Sequence, residues 1–123
     1  MGRVLVVDDD ELMRAPLRLL LEGMGHEVVE AGNGLDAVEL FRKKPTPVII
    51  IDLMMPRKSG FEAIAELRKD YPSVQIIAMS GGLADRPEAY LDLAKVLGAE
   101  HVLAKPFSQS ELRKVLARVN WET

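Results

Sequence analysis

The sequence excludes several protein classes through what it lacks. Its 123 residues contain no cysteine, which excludes disulfide frameworks, zinc fingers, iron–sulfur clusters and thiol catalysis. Its longest apolar stretches, such as residues 48–51, are far shorter than the roughly 20 residues that span a bilayer. The start of the chain carries one arginine and a short apolar run that meets three aspartates, which is not the pattern of a signal peptide. We therefore expect a cytoplasmic protein without a membrane segment.

Positive charge is not in excess either. The chain has 16 Lys and Arg residues against 19 Asp and Glu residues, which gives a net charge of −3. A nucleic-acid-binding surface must neutralise phosphates, so we expect no direct nucleic-acid binding by this domain. Hydrophobic residues make up 48% of the chain, an ordinary fraction for a soluble globular fold, and the length fits one domain.

Short apolar runs alternate with amphipathic stretches along the whole chain. The runs predict five strands, at residues 3–7, 27–30, 48–51, 74–79 and 101–104. Apolar residues at helical spacing follow each run and predict five helices. Strict alternation with short crossovers is typical of a parallel sheet covered by helices on both faces. The fold class predicted from the residues is therefore α/β, with a five-stranded parallel sheet.

A few residues indicate where the helices begin and end. Pro16 lies inside the first helical pattern and predicts either a kink or a late start of that helix. Gly98 fits the C-terminal cap of the fourth helix. Either Ser108 or Ser110, together with Glu111, fits the start of the fifth helix.

Polar and charged side chains follow four of the five strands directly. They are Asp8, Asp9 and Asp10 after the first strand, Asp52 after the third, Ser80 in a predicted loop 80–82 after the fourth, and Lys105 after the fifth. In an open parallel sheet, ligands bind outside the carboxyl ends of the strands, where the strand order reverses. We therefore expect these side chains to meet at one edge of the sheet.

The chemistry of this group of side chains suits a metal and a phosphoryl group. Two or three carboxylates without histidine or cysteine form a hard oxygen site, which suits Mg²⁺ or Mn²⁺. Such a site repels a bare phosphate, but a bound cation allows a phosphoryl group to approach. A carboxylate can then attack phosphorus and become an acyl phosphate, while a lysine and a hydroxyl neutralise the developing charge.

Four motifs carry a family resemblance. They are Val6-Val7-Asp8-Asp9, Ile50-Ile51-Asp52-Leu53-Met54-Met55-Pro56 followed by Gly60, Ile77-Ala78-Met79-Ser80-Gly81, and Leu103-Ala104-Lys105-Pro106-Phe107. Each is weak alone, but together they are specific, and over its whole length the chain resembles the receiver domain of a two-component response regulator of the CheY-like superfamily. The resemblance implies a flavodoxin-like, doubly wound (βα)5 fold. It also implies a single receiver domain, residues 1–123, with no output domain in this chain.

The resemblance assigns the metal site and the phosphoacceptor. It implies that Asp52 receives the phosphoryl group. It also implies that Asp8 and Asp9 hold Mg²⁺ together with Asp52, that the main-chain carbonyl of Met54 completes the protein ligands, and that Mn²⁺ can substitute.

The resemblance also assigns roles to two further side chains. Ser80 would bind a phosphoryl oxygen and act as the switch hydroxyl. Lys105 would pair with the phosphoryl group and with Asp52, and the bond from Lys105 to Pro106 is usually cis in the family.

The implied activity is that of a phosphorylation-controlled switch rather than an enzyme in the usual sense. A sensor histidine kinase or a histidine phosphotransfer protein would donate the phosphoryl group. The surface around the fourth helix, fifth strand and fifth helix would then change its affinity for an output domain or target protein. A phosphorylation-dependent homodimer is left open by the sequence.

The chain departs from the family pattern at several positions. Val102 stands where the family usually has an aromatic residue, which puts the usual coupling of that residue to the hydroxyl in doubt. Met54 and Gly82, two positions after the phosphoacceptor and the hydroxyl, cannot orient a water through a side-chain hydrogen bond, which predicts slow self-dephosphorylation. The segment 80–105 is longer than usual and predicts a mobile or reshaped loop before the fourth helix.

Other interpretations compete with this one. A haloacid-dehalogenase-type phosphatase would use Asp8 as its nucleophile and Asp10 as its acid or base. A passive interaction domain would keep the fold without phosphorylation. Among single residues, Asp10 fits a helix cap better than a ligand, and His26 fits a structural or exposed role. Trp121 fits either packing of the last helix or a partner contact.

Overall fold

Runs of branched apolar residues form the strands of one sheet, and amphipathic segments form the helices that cover it. The computed structural model describes residues 2–55, 57–81 and 87–121. Within them, the strands are β1 (Arg3–Val7), β2 (Glu27–Ala31), β3 (Val48–Asp52), β4 (Gln75–Gly81) and β5 (His101–Lys105). The helices are α1 (Glu11–Gly23), α2 (Gly34–Lys43), α3 (Gly60–Asp70), α4 (Pro87–Leu97) and α5 (Gln109–Ala117).

The sheet has the strand order β2-β1-β3-β4-β5, and all neighbouring strands are parallel. The predicted α/β fold with a doubly wound parallel sheet is therefore confirmed. The chain moves from β1 outward to β2 and then returns to β3 on the other side of β1, so the strand order reverses between β1 and β3. This reversal point is where open parallel sheets of this kind place their ligand sites.

The sheet is buried on both faces, which explains why its strands are apolar almost throughout. Along β1, side chains alternate between two cores: Leu5 and Val7 face one, and Val4 and Val6 face the other. Helices α2, α3 and α4 cover the first core with Ala37, Val38, Phe41, Ala63, Ile64, Leu67, Leu91 and Ala94. Helices α1 and α5 cover the second with Leu17, Leu21, Leu112 and Leu116. Across the described residues, no helix combines the length and hydrophobicity of a membrane span.

The helix ends follow local capping chemistry. Asp10 caps α1 by accepting the N–H of Leu12, which confirms the capping role of this aspartate. Ser108, not Ser110, caps α5, and it forms a capping box with Glu111. Gly98 follows α4 with φ +126°, a conformation that a side chain disfavours.

Helix α1 begins at Glu11, so Pro16 lies inside the helix and does not delay its start, while the alternative of a kink stays a prediction. One boundary prediction was wrong. Ser80 was expected in a loop, but β4 runs from Gln75 to Gly81, and Ser80 pairs with Ala104 of β5. The fourth strand extends to Gly81 because β5 pairs with its last five residues, 77–81. Pro56 and the predicted loop before α4, including Gly82, lie outside the described residues.

Trp121 packs against the domain rather than projecting from it. Its ring stacks on His26, with centroids 4.2 Å apart and an angle of 14° between the planes. It lies half-buried against the core under α1 and α5. The His26 Nδ1 accepts the N–H of Gly2 at 3.2 Å, and burial lowers the pKa of His26. Both residues therefore have structural roles at the amino-terminal end of the sheet.

Arg68 joins three segments at that same end of the sheet. Its guanidinium donates to the Gly98 carbonyl at 2.8 Å, to the Pro72 carbonyl at 2.7 Å and to the Glu100 carboxylate at 2.7 Å. Glu100 in turn accepts the N–H of Ile76 at 2.9 Å. The end of α3, the start of β4 and the turn after α4 are thus held by one side chain.

We expect Arg68→Ala to lower the free energy of unfolding by about 2–4 kcal/mol, because it leaves partly buried carbonyls and a carboxylate without their donor. Lys69→Ala is the matched control, since Lys69 is the exposed neighbour in the same helix, and its effect should stay within about 0.5 kcal/mol. Urea unfolding of both variants measures the difference. Equal stability of the two variants would show that the Arg68 contacts contribute little.

Candidate functional site

Two buried carboxylates stand at the reversal point of the sheet. Asp52 is the last residue of β3, and Asp8 directly follows β1, the adjacent strand. Asp8 is 2% exposed and Asp52 is 8% exposed, whereas Asp9 is exposed. One carboxylate oxygen from each of Asp8, Asp9 and Asp52 lies within 4.8 Å of the others. The structure therefore brings together the three aspartates that the sequence nominated as metal ligands.

Asp8 is held from several directions. Its Oδ1 accepts the N–H of Asp10 at 3.0 Å, and its Oδ2 accepts the Lys105 Nζ at 2.8 Å. Its backbone N–H donates to the Ala31 carbonyl of β2 at 3.2 Å. Its backbone carbonyl accepts the Arg14 Nη1 at 2.6 Å. The position of this carboxylate is thus set by β2, α1 and β5 together.

Asp52 is fixed through both of its carboxylate oxygens. Oδ1 accepts the N–H of Met54 at 3.2 Å, and Oδ2 accepts the Lys105 Nζ at 3.0 Å. The start of α3 lies directly against its backbone: a Cβ built on Gly60 would be only 2.2 Å from the Asp52 carbonyl oxygen. The Gly60 N–H donates to the Leu53 carbonyl at 3.1 Å. A glycine at this position lets α3 begin beside the phosphoacceptor candidate.

Lys105 lies between the two buried carboxylates. It ends β5, its side chain is 13% exposed, and the bond from Lys105 to Pro106 is cis, as the resemblance implied. Burial alone would lower the pKa of Lys105, but its hydrogen bonds to Asp8 and Asp52 and their charges outweigh burial, so its pKa is raised. The ammonium therefore stays charged and acts as the counter-ion of both carboxylates.

Burial raises the pKa of Asp52 above its ordinary value, although Lys105 and the Met54 N–H act in the opposite direction. The two pKa shifts of this ion pair have opposite consequences. The raised pKa of Lys105 favours its charged ammonium, whereas the raised pKa of Asp52 favours its neutral carboxyl group. One ammonium serves two carboxylates, so full ionisation leaves an excess negative charge in a buried site. The site therefore carries more negative than positive charge, which favours the binding of a further cation.

Ser80 presents an unsatisfied hydroxyl at the same edge of the sheet. It is completely buried, and its Oγ has no hydrogen-bond partner among the described residues. Strand β4 lies beside β3 with Met79 opposite Asp52, so Ser80 is one residue further toward the carboxyl end of the sheet. Burying a hydroxyl without a hydrogen-bond partner costs about 1–3 kcal/mol of folding free energy. This cost favours a ligand oxygen as the missing partner of Ser80.

The donor set fits a divalent cation of the hard type. All the ligand atoms in the cluster are carboxylate oxygens, which Mg²⁺ and Mn²⁺ prefer. A divalent cation would also neutralise the excess negative charge of the site. Lys105 and the Ser80 hydroxyl, which has no partner among the described residues, are donors of the type that bind anionic oxygens. The side chain of Met54 is 52% exposed, and the ligand role of its carbonyl stays a prediction.

Two contributors to the site were missed by the analysis of the sequence. Arg14 was assigned no role, although it lies three residues before Leu17 and seven before Leu21, on the buried stripe of α1. A charged residue in an apolar stripe was the signal that could have found it. Gly60 was noted only as part of a motif, and its close approach to Asp52 needs coordinates to be seen.

The position of Val102 is also clear in the structure. Its side chain is half-buried and packs against the core under α2, α3 and α4. It is an aliphatic contact of that core, at the place where the resemblance implies an aromatic residue.

Comparisons with known proteins agree with this geometry. A family model described as the response regulator receiver domain matches residues 4–117. The probable transcriptional regulator ycf27 of Guillardia theta is 38% identical over 96% of this chain and 46% of its own length. The chemotaxis protein CheY of Thermotoga maritima is 35% identical over 96% of this chain and 97% of its own length. The crystal structure of Vibrio cholerae CheY4 matches with a TM-score of 0.86 and 32% identity, and covers 98% of this chain and 99% of that chain. This chain thus spans about half of the ycf27 protein and nearly all of the two chemotaxis proteins.

Proposed function

Because this chain belongs to the receiver domain family of two-component response regulators, we propose that it is a phosphoacceptor module in which Asp52 receives a phosphoryl group. The observation that carries the proposal is the grouping of Asp8, Asp9 and Asp52 within 4.8 Å, at the reversal point of the sheet. Lys105 adds a charged donor to two of these carboxylates.

We propose that Asp8, Asp9 and Asp52, with the main-chain carbonyl of Met54, hold Mg²⁺, for which Mn²⁺ can substitute. When bound, the cation neutralises the charge between the carboxylates and an incoming phosphoryl group. The charge balance of the site supports this assignment, since the single ammonium of Lys105 is shared by the two buried carboxylates of Asp8 and Asp52.

Three side chains of the chain have separate roles in the phosphoryl transfer. A carboxylate oxygen of Asp52 attacks phosphorus while the bond from phosphorus to the donor breaks, which gives an acyl phosphate. Lys105, whose Nζ lies 3.0 Å from Asp52 Oδ2, neutralises charge that develops on the phosphoryl oxygens. The Ser80 hydroxyl, buried and without a partner among the described residues, donates to one of those oxygens.

The proposed output is a change of surface rather than turnover of a substrate. The donor is a sensor histidine kinase or a histidine phosphotransfer protein. Charge added at Asp52 draws Ser80 and Lys105 inward, and the surface of α4, β5 and α5 then changes its affinity for an output domain, a target protein or a second copy. Two exposed apolar side chains of α4 suit such a contact, Leu93 at 45% and Val96 at 82% exposed. The exposed thioether of Met54 has no group that orients water, which supports slow self-dephosphorylation.

The proposal is tested by intact mass spectrometry of the protein with acetyl phosphate. With Mg²⁺ present, we expect the mass to rise by one phosphoryl group, because the cation removes the repulsion between the carboxylates and the donor. After chelation with EDTA we expect no gain, and added Mn²⁺ should restore it.

The two possible failures are distinct. An equal mass gain with and without EDTA would contradict the metal dependence. No gain under any of these conditions would overturn the phosphoacceptor function.

A further inference from the structure

Arg14 connects the acidic site to the second strand. It lies in α1 with its side chain 17% exposed. Its Nη1 donates to the backbone carbonyl of Asp8 at 2.6 Å, and its Nε donates to Glu30 Oε1 of β2 at 3.1 Å. A guanidinium can make both bonds at once because its donors point in fixed, different directions.

The bond to the Asp8 carbonyl acts on Asp9 as well. That carbonyl and the N–H of Asp9 belong to one planar peptide unit, so fixing the carbonyl fixes the direction in which Asp9 leaves the strand. The exposed side chain of Asp9 makes no hydrogen bond with any described residue. No such bond therefore fixes the position of its carboxylate. Its place within 4.8 Å of Asp8 and Asp52 therefore depends on its backbone.

We propose that Arg14 is a positioning residue of the cation site: it holds the peptide unit between Asp8 and Asp9 so that both carboxylates face Asp52. This inference rests on the proposed function, since it concerns the same site. Arg14 does not touch the carboxylates themselves and acts only through the backbone that carries them.

Arg18 offers a matched control on the same helix. It donates to the other oxygen of the same glutamate, Glu30 Oε2, at 3.1 Å, and its side chain is 41% exposed. It also lies near Glu22, with 3.8 Å between Nε and Oε1. Arg18 makes no hydrogen bond or ion pair with Asp8. Arg14 and Arg18 thus share their partner in β2 and differ in the bond to the acidic site.

The experiment is a Mg²⁺ titration of the unphosphorylated full chain, followed by NMR of backbone amides near the site. We expect Arg14→Ala to raise the apparent Kd for Mg²⁺ about tenfold, as the loss of a residue that orients metal ligands typically does, whereas Arg18→Ala should change it by less than about twofold. The carbonyl carbon shift of Asp8 should move in Arg14→Ala and stay in place in Arg18→Ala, since only Arg14 donates to that carbonyl. Arg14→Met, which keeps the aliphatic stem, should weaken Mg²⁺ binding like Arg14→Ala and provides the measurement if the alanine variant does not fold.

A role of Arg14 in stability alone would lower the unfolding midpoint without moving the Kd or the Asp8 carbonyl shift. A folded Arg14 variant with a Kd within about twofold of the wild type would therefore overturn the inference. Failure of the wild-type protein to bind Mg²⁺ would instead overturn the metal site of the proposed function.

Discussion

Asp52→Asn is expected to abolish the mass gain that acetyl phosphate and Mg²⁺ produce in the wild-type protein. An amide has no carboxylate oxygen to attack phosphorus, so no acyl phosphate can form. Asparagine has nearly the same shape, and its carbonyl oxygen can still accept the N–H of Met54, which Asp52 accepts at 3.2 Å. The loss should therefore concern chemistry and leave the fold in place.

The same substitution should change the dependence of stability on pH. The pKa of Asp52 is raised in the folded state, chiefly by burial, so the folded protein binds its proton more tightly than the unfolded chain does. Stability contributed by the protonated form is therefore lost as pH rises from the ordinary value through the raised pKa. Asparagine does not ionise, so the Asp52→Asn variant does not lose this stability as pH rises. In thermal unfolding at neutral pH without added metal, the variant should therefore have a higher Tm than the wild-type protein.

Asp10→Asn is the control for this experiment. Asp10 caps α1 through the N–H of Leu12, and asparagine caps helices about as well as aspartate. This variant should keep both the mass gain and the stability of the wild type. A phosphoryl group that persists in Asp52→Asn and maps to Asp8 would contradict the proposal and favour the phosphatase-type alternative, in which Asp8 is the nucleophile.

Gly60→Ala should be strongly destabilising and should damage the acidic site at the same time. The added Cβ would lie 2.2 Å from the Asp52 carbonyl oxygen, 2.7 Å from the Leu53 Cα and 2.9 Å from the Asp52 carbonyl carbon. All three are backbone atoms, which cannot rotate away as a flexible side chain would. Either α3 moves off the end of β3 or Asp52 moves, and we expect a loss of about 3 kcal/mol or more in the free energy of unfolding.

Gly23→Ala provides a control in which the same methyl group meets no neighbour. A Cβ at Gly23, the last residue of α1, has no heavy atom within 4 Å, and alanine there should leave stability unchanged or raise it by up to about 1 kcal/mol. Urea unfolding and Mg²⁺ titration of both variants separate the two effects. A Gly60→Ala protein as stable as Gly23→Ala, with wild-type Mg²⁺ affinity, would show that α3 does not fix the position of Asp52.

The features that sequence could predict are those that depend on local pattern. Residues 48–51 read as a strand buried on both faces because four branched apolar residues follow one another, and the structure confirms β3 there. The meeting of Asp8 with Asp52 followed from a general property of parallel sheets, whose carboxyl ends share one edge. Neither inference required knowledge of distant contacts.

The features that sequence could not predict depend on partners far along the chain. Ser80 and the glycines after it are typical of a loop, and only pairing with β5 makes the residue part of β4. Arg14 is marked in the sequence only as a charged residue in the apolar stripe of α1, and its bond to the Asp8 carbonyl is seen only in the structure. Capping was the exception among polar contacts, because Ser108 and Glu111 are only three residues apart.

The stacking of Trp121 on His26 has a spectroscopic consequence. Trp121 is the single tryptophan of the chain, and it lies at the amino-terminal end of the sheet, against Gly2 and His26. The acidic cluster lies at the opposite end. The fluorescence of Trp121 therefore reports on the packing of the C-terminal segment and on the protonation of the stacked His26 imidazole. A fluorescent probe of cation binding has to be introduced near the acidic cluster by substitution.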